Sequence, residues 1–155
     1  GETEHLGAEV SVGYQFTDAW DFALVANYGD HTYSNSKFSG GENIKNNQID
    51  TAPKRFGAAQ LGLQLSENMR TELELIHMGG YFTDPENDHR YGGHDVLNLR
   101  TQWQLCPDID VSLRVLNLLD ERYAERADYV SFGGGTDRYF PGDPRSVYAA
   151  VEYQF

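Results

Sequence analysis

Apolar and polar residues alternate with a period of two along most of the chain. Leu6, Ala8, Val10, Val12, Tyr14 and Phe16 take turns with Gly7, Glu9, Ser11, Gly13 and Gln15. The same alternation returns over residues 20–28, 59–65, 69–75, 97–105, 109–115 and 147–155. Successive side chains of a strand point to opposite faces, so the pattern predicts seven strands, each with one apolar and one polar face. No stretch carries a helical period. The expected class is all-β, an antiparallel up-and-down sheet.

The connections sharpen that expectation. Three are tight, at 17–19, 66–68 and 107–108. Three are long, at 34–55, 79–94 and 125–145, and rich in Gly, Asn, Asp, Ser and Pro. Tight and long alternate strictly, which gathers all tight turns at one end of the sheet and all long loops at the other. Transmembrane β-barrels show this asymmetry, whereas a soluble sandwich mixes its loop lengths more freely.

Aromatic residues follow the same division. Phe16, Trp20, Trp103, Tyr153 and Phe155 fall at the tight-turn ends, and Tyr28, Tyr33, Phe56, Tyr81, Tyr91 and Tyr123 fall toward the long loops. Two such bands suit the two interfaces of a bilayer. Ordinary strand preference for aromatic residues does not by itself sort them to strand ends. The polar positions (Arg70, Glu72, Glu74, Asn98, Arg100, Gln102, Gln104, Arg114, Glu152 and Gln154) then line a polar lumen. Their other reading is the solvent side of a soluble sandwich.

Composition changes the picture in two respects. Lys and Arg total 12 against 24 Asp and Glu, a net charge of −12, which offers no basic patch to nucleic-acid phosphates. No run approaches the ~20 apolar residues of a membrane-spanning helix, and a β-barrel needs none, since only every second residue meets lipid. The single cysteine, Cys106, has no partner for a disulfide or a metal site.

An odd number of up-and-down strands leaves the first and last parallel, so seven cannot close on themselves, and open edges are untenable in lipid. The expectation is therefore a segment of a larger barrel whose first residues, "GETEH", lie in a long loop. The alternatives are a complete small outer-membrane barrel with a structural or adhesive role, given by an eighth strand, and a soluble β-sandwich binding module.

Residues 115–125, "VLNLLDERYAE", carry Asn-Leu-x-Asp-x-x-Tyr as Asn117, Leu118, Asp120 and Tyr123. Residues 139–155, "YFPGDPRSVYAAVEYQF", follow with Pro141, Gly142, Pro144 and Arg145 and end on an aromatic residue. In that order and spacing the two stretches resemble the closing region of TonB-dependent outer-membrane receptors, and "YGGHDVLNLRTQWQL" (91–105) resembles the strand before it. The resemblance implies that residues 1–155 are the carboxy-terminal part of a barrel of about 22 strands, without the plug domain that fills such barrels. It implies an outer-membrane location in a Gram-negative bacterium and uptake of a scarce nutrient, a ferric siderophore or similar iron complex foremost. It also implies partners: outer-membrane lipid, the barrel-assembly machinery and, through the plug, TonB. The row Val147, Ala149, Val151, Tyr153 and Phe155 then serves as the assembly signal.

Candidate chemistry beyond the motifs is sparse. "DPENDHRYGGHD" (84–95) gathers Asp84, Glu86, Asp88, His89, His94 and Asp95, but His89 and His94 lack a tight ligand spacing, so the expectation is a solvated loop and no metal site. Arg90, Tyr91, Arg138 and Tyr139 are the candidates for ligand contact, because Arg and Tyr dominate recognition hot spots. The triple glycine of "FGGGTDRYFPGD" (132–143) precedes a strand and no helix, which excludes a nucleotide-binding loop. No catalytic constellation is present, so neither an enzyme nor a cofactor is expected. Leu116, Leu118 and Leu119 break the alternation, and a β-bulge is expected over Asn117–Tyr123.

Overall fold

Seven strands do form one antiparallel sheet in the computed structural model, which describes residues 1–35 and 43–155. They are β1 (Thr3–Gln15), β2 (Trp20–Tyr33), β3 (Arg55–Ser66), β4 (Met69–Phe82), β5 (Arg90–Cys106), β6 (Ile109–Leu116) and β9 (Ser146–Tyr153), in the order β1-β2-β3-β4-β5-β6-β9. Between β6 and β9 the chain builds a separate two-stranded hairpin, β7 (Ala124–Val130) and β8 (Thr136–Pro141). Each wall strand pairs with the next wall strand along the chain, β6 reaching β9 past the β7–β8 hairpin, and Thr32 of β2 also bridges to Gln48. The centre of the first long loop, 36–42, lies outside the described residues.

Register explains how the alternation becomes two faces. Tyr14 pairs Phe22, Phe22 pairs Leu61, Leu61 pairs Leu73, Leu73 pairs Leu99, Leu99 pairs Val115 and Val115 pairs Val147. One apolar row therefore crosses all seven strands without a break. The adjacent register row runs Asp21, Gly62, Glu72, Arg100, Arg114 and Tyr148. A slip of one residue on any strand would exchange the faces, so the unbroken rows fix the register. No second sheet packs on the apolar face among the described residues, and Leu6, Val10, Leu61, Leu75, Leu113, Val147 and Val151 are exposed on it. A soluble sandwich would bury that face, which removes this alternative.

β1 to β4 have 12 to 14 residues and β5 has 17, more than the ~9–11 that cross a bilayer. β4 and β5 thus run past the apolar band, and the expected loop 79–94 shrinks to 83–89. The glycines of "HMGGYF" and "RYGGHD" interrupt the side-chain pattern there, while backbone pairing continues through Tyr81 opposite Tyr91 to Phe82 opposite Arg90. The tight turns match expectation. In the first, the Thr17 hydroxyl accepts hydrogen bonds from the Ala19 and Trp20 amides at 3.2 and 3.1 Å. In the second, Asn68 Nδ2 donates to the Gln104 carbonyl at 2.8 Å, tying the turn to β5.

Two expectations need correction. The long-loop aromatics do not form one lipid-facing band: Phe56 pairs Asn27 and Met78 on the polar face, and Tyr81 is buried at 3 % exposure. Nor is 117–123 a bulge. β6 ends at Leu116, and Asn117 and Asp120 take left-handed conformations (φ 51° and 57°) that turn the chain out of the sheet. Wall bulges sit instead at Gln64/Ser66 and Gln104/Cys106, beside the tight turns.

Candidate functional site at the loop end

The long-loop end is organised by a buckle that joins the two ends of the 117–145 excursion. Asn117 is 2 % exposed. Its Nδ2 donates to the carbonyls of Glu121 (2.9 Å) and Asp143 (3.0 Å), while its Oδ1 accepts from the Glu121 amide at 2.8 Å. Asp120 Oδ1 accepts from the Arg145 amide at 3.1 Å, and the Gly142 amide donates to the Tyr123 carbonyl at 2.9 Å. The Tyr123 ring lies where any side chain on residue 142 would be, which accounts for glycine in Pro-Gly-x-Pro-Arg. The two motif stretches are thus halves of one structural device. Buried polar groups are stable only when paired, and Asn117 uses its donor and acceptor groups to join outgoing and returning chain.

The buckle is wired to the wall. The Asn117 amide donates to Asn98 Oδ1 (2.9 Å), Asn98 Nδ2 donates to Glu74 Oε2 (2.9 Å), and Gln60 Nε2 donates to Glu74 Oε1 (3.0 Å). This ladder runs along the polar face from β3 to β5. Further toward the tight turns, Arg70 makes a two-armed bond to Asp21 at 2.7 and 2.8 Å across Gly62, whose missing side chain leaves the gap they meet in.

Above the buckle, the β7–β8 hairpin docks on the extended ends of β4 and β5. Tyr81 Oη accepts from the Ala127 amide at 2.7 Å and Tyr91 Oη from the Ala124 amide at 3.0 Å. The Tyr129 amide donates to the Thr83 carbonyl at 3.0 Å, and its ring stacks on His89 with centroids 3.6 Å apart. Asp84, nearly buried, accepts from the His89 amide at 2.9 Å and lies 3.1 Å from His89 Nδ1. That hydrogen bond, reinforced by the Asp84 charge, holds the His89 pKa above the ordinary imidazole value. Asp128, itself buried, receives both arms of the exposed Arg138 at 2.7 and 2.8 Å, with the exposed Arg126 at 3.3 Å. The Arg138 hydrogen bonds draw the Asp128 carboxyl below its usual range.

The four candidate contact residues divide. Tyr91 and Tyr139 come together, ring centroids 6.4 Å apart, with His94 bonded to Tyr91 Oη at 2.9 Å and its ring 4.4 Å from Tyr123. Arg138 is engaged by Asp128, and Arg90 sits exposed at the start of β5 opposite Phe82. Sequence reasoning placed Tyr81 among the long-loop aromatics and His89 in a solvated loop, without the docking roles they have here, and did not single out Asp128 or Tyr129. Their principal partners lie 5 to 46 residues away, and only the position of Tyr81 directly after the Gly79–Gly80 pair hinted at it. Among the described residues no three His, Cys, Asp or Glu side chains cluster as a metal site. The assembly of Arg, Tyr and His at the mouth can bind by stacking, charge and hydrogen bonds.

Comparison with known proteins agrees with this architecture. A profile of the family described as TonB dependent receptor-like, beta-barrel, matches residues 1–118. The chain is 24 % identical over 127 residues to the pesticin receptor of Yersinia enterocolitica, covering 79 % of this chain and 18 % of that protein. Among solved structures it is similar to the siderophore receptor PiuA from Acinetobacter baumannii (TM-score 0.80, 16 % identity, 97 % of this chain and 22 % of that one). It is also similar to the ferric yersiniabactin uptake receptor FyuA from Yersinia pestis (TM-score 0.79, 18 % identity, 99 % and 24 %). The chain thus spans about a fifth of the length of the curated relatives it matches. An unbroken apolar row, open sheet edges, asymmetric loops and the profile match converge: this chain belongs to the TonB-dependent receptor β-barrel family, whose members reside in the outer membrane of Gram-negative bacteria.

Proposed function

We propose that this segment supplies wall and mouth to a receptor that takes up a ferric siderophore or similar iron complex in a TonB-dependent manner. The observation that carries the reading is the seven-stranded sheet, apolar on one face and polar on the other, with a tyrosine- and arginine-rich cluster docked at its loop end. Receptors of iron complexes among the similar structures support the substrate class. In this reading Tyr139, half exposed beside Tyr91, and the exposed Arg90 contact the ligand, Tyr91 positions Tyr139, and Arg138 shapes the exposed side of the hairpin. The remainder of the barrel and a plug that engages TonB come from sequence outside these residues. Val147, Ala149, Val151 and Tyr153 on β9, with Phe155 beyond it, serve as the strand recognised by the barrel-assembly machinery.

The test is growth of an iron-restricted host in which the complete receptor carrying this sequence is the sole route for supplied ferric siderophores. Arg90→Ala and Tyr139→Ala reduce uptake at unchanged surface level if the reading is right. Normal uptake of every ferric complex in both variants sinks the contact assignment, and failure of the unaltered receptor to support growth on any of them sinks the substrate class.

A further inference from the structure

We propose that His5 and His31 form a two-histidine binding site for a borderline transition-metal ion, Cu2+ foremost. The residues face each other across β1 and β2 in direct register, and their Nδ1 atoms lie 2.8 Å apart. At that distance one imidazole donates to the other, so a single proton occupies the space between two nitrogens. A metal ion takes the place of that proton once both rings tilt so that their lone pairs converge beside the line joining the nitrogens, and His5 is exposed enough to turn. Two bonds of about 2.0 Å meeting at a right angle set their nitrogens about 2.8 Å apart, and right-angled nitrogen ligation is the geometry Cu2+ favours.

Access and field agree with the geometry. His5 is exposed and His31 half-buried at the long-loop end. The His31 ring folds back over Gly29, where a larger residue would collide with it. Residues 1–35 contain six carboxylates (Glu2, Glu4, Glu9, Asp18, Asp21 and Asp30) and no Lys or Arg. Arg70 compensates Asp21 and Lys54 compensates Asp30, while no Lys or Arg pairs with Glu2, Glu4, Glu9 or Asp18 among the described residues. Of these, Glu2 and Glu4 lie beside His5 and favour a cation there, whereas Asp18 sits at the opposite, tight-turn end of the hairpin. No third side-chain ligand is nearby among the described residues, so water fills the remaining positions and the ion binds exchangeably. The pair escaped sequence reading because its members are 26 residues apart and become neighbours only through the β1–β2 register.

Electron paramagnetic resonance of the complete receptor in detergent, titrated with Cu2+ alone, tests the site. The expected spectrum shows one copper per chain with two equatorial imidazole nitrogens. His5→Ala and His31→Ala each abolish that signature and weaken binding more than the roughly tenfold loss caused by disturbing a ligand's supporting contacts. His77→Ala, which removes a histidine paired instead with Asp95, leaves it intact. Gel migration of the unheated variants checks that the barrel has folded. An unchanged copper spectrum in His5→Ala and His31→Ala, or no copper retained by the folded unaltered receptor, overturns the proposal.

Discussion

Asn117 and His89 show how single side chains hold the loop end in place. Asn117, itself buried, supplies partners to two carbonyls and one amide of Glu121 and Asp143. Replacing it with Ala removes these three hydrogen bonds, each worth about 0.5–1.5 kcal/mol. Limited proteolysis of the complete receptor should then cut within 117–145 while the remaining strands resist, and equal resistance to the unaltered protein would remove the buckle's role. His89 adds a pH dependence. Its pKa is raised by Asp84, so the stabilisation is fully present below the ordinary imidazole value of ~6.5 and is lost as pH rises through the elevated one. Hydrogen exchange at 83–89 should therefore be more protected in mild acid than in mild alkali, after correction for intrinsic rates. His89→Gln should flatten that difference.

At the scale of elements, the hairpin is an appendage held by the Tyr81 and Tyr91 hydroxyls together with the Tyr129–Thr83 backbone bond and the Tyr129–His89 stack. Tyr81→Phe frees the buried Ala127 amide and should raise exchange across 124–141, leaving β2 and β3 unchanged. A uniform change across the chain would instead signal global destabilisation. The wall strands were readable because each must show lipid one face and the lumen the other, which writes a period of two into the residues. The outer ends of β4 and β5 were not, because Gly79, Gly80, Gly92 and Gly93 carry pairing without pattern. β7 and β8 were hidden for another reason. At 7 and 6 residues they are short, and β7 meets the wall through Ala124 and Ala127, too small to mark a buried face. The motif residues were visible through family resemblance, but their pairing across the 117–145 excursion required the fold.

For the whole molecule, the two faces make opposite demands on charge. Leu73 lies mid-row on the apolar face, and Leu73→Arg should destabilise the folded barrel by about 2–4 kcal/mol, as cations do at the bilayer midplane. Gln102→Arg, on the polar face opposite Arg70, should cost far less. Denaturant unfolding in lipid vesicles reads both, and equal costs would contradict the assignment of faces. The same division explains how a chain with 24 carboxylates lives in a membrane: most of its charge lies on the polar face, in turns and in loops.

The buckle has a consequence for how such receptors diversify. Because Asn117, Asp120 and Tyr123 grip Asp143, Gly142 and Arg145 directly, the excursion leaves and re-enters the wall at one fixed point. Whatever lies between can lengthen, shorten or change sequence without altering where β6 stops or β9 begins. The tip, with Phe132 at 93 % exposure and Gly133–Gly135 all left-handed, is the freest part of it. Selection can therefore rewrite the mouth while the barrel is inherited unchanged, and an engineer grafting an epitope or a foreign recognition loop has a natural socket there.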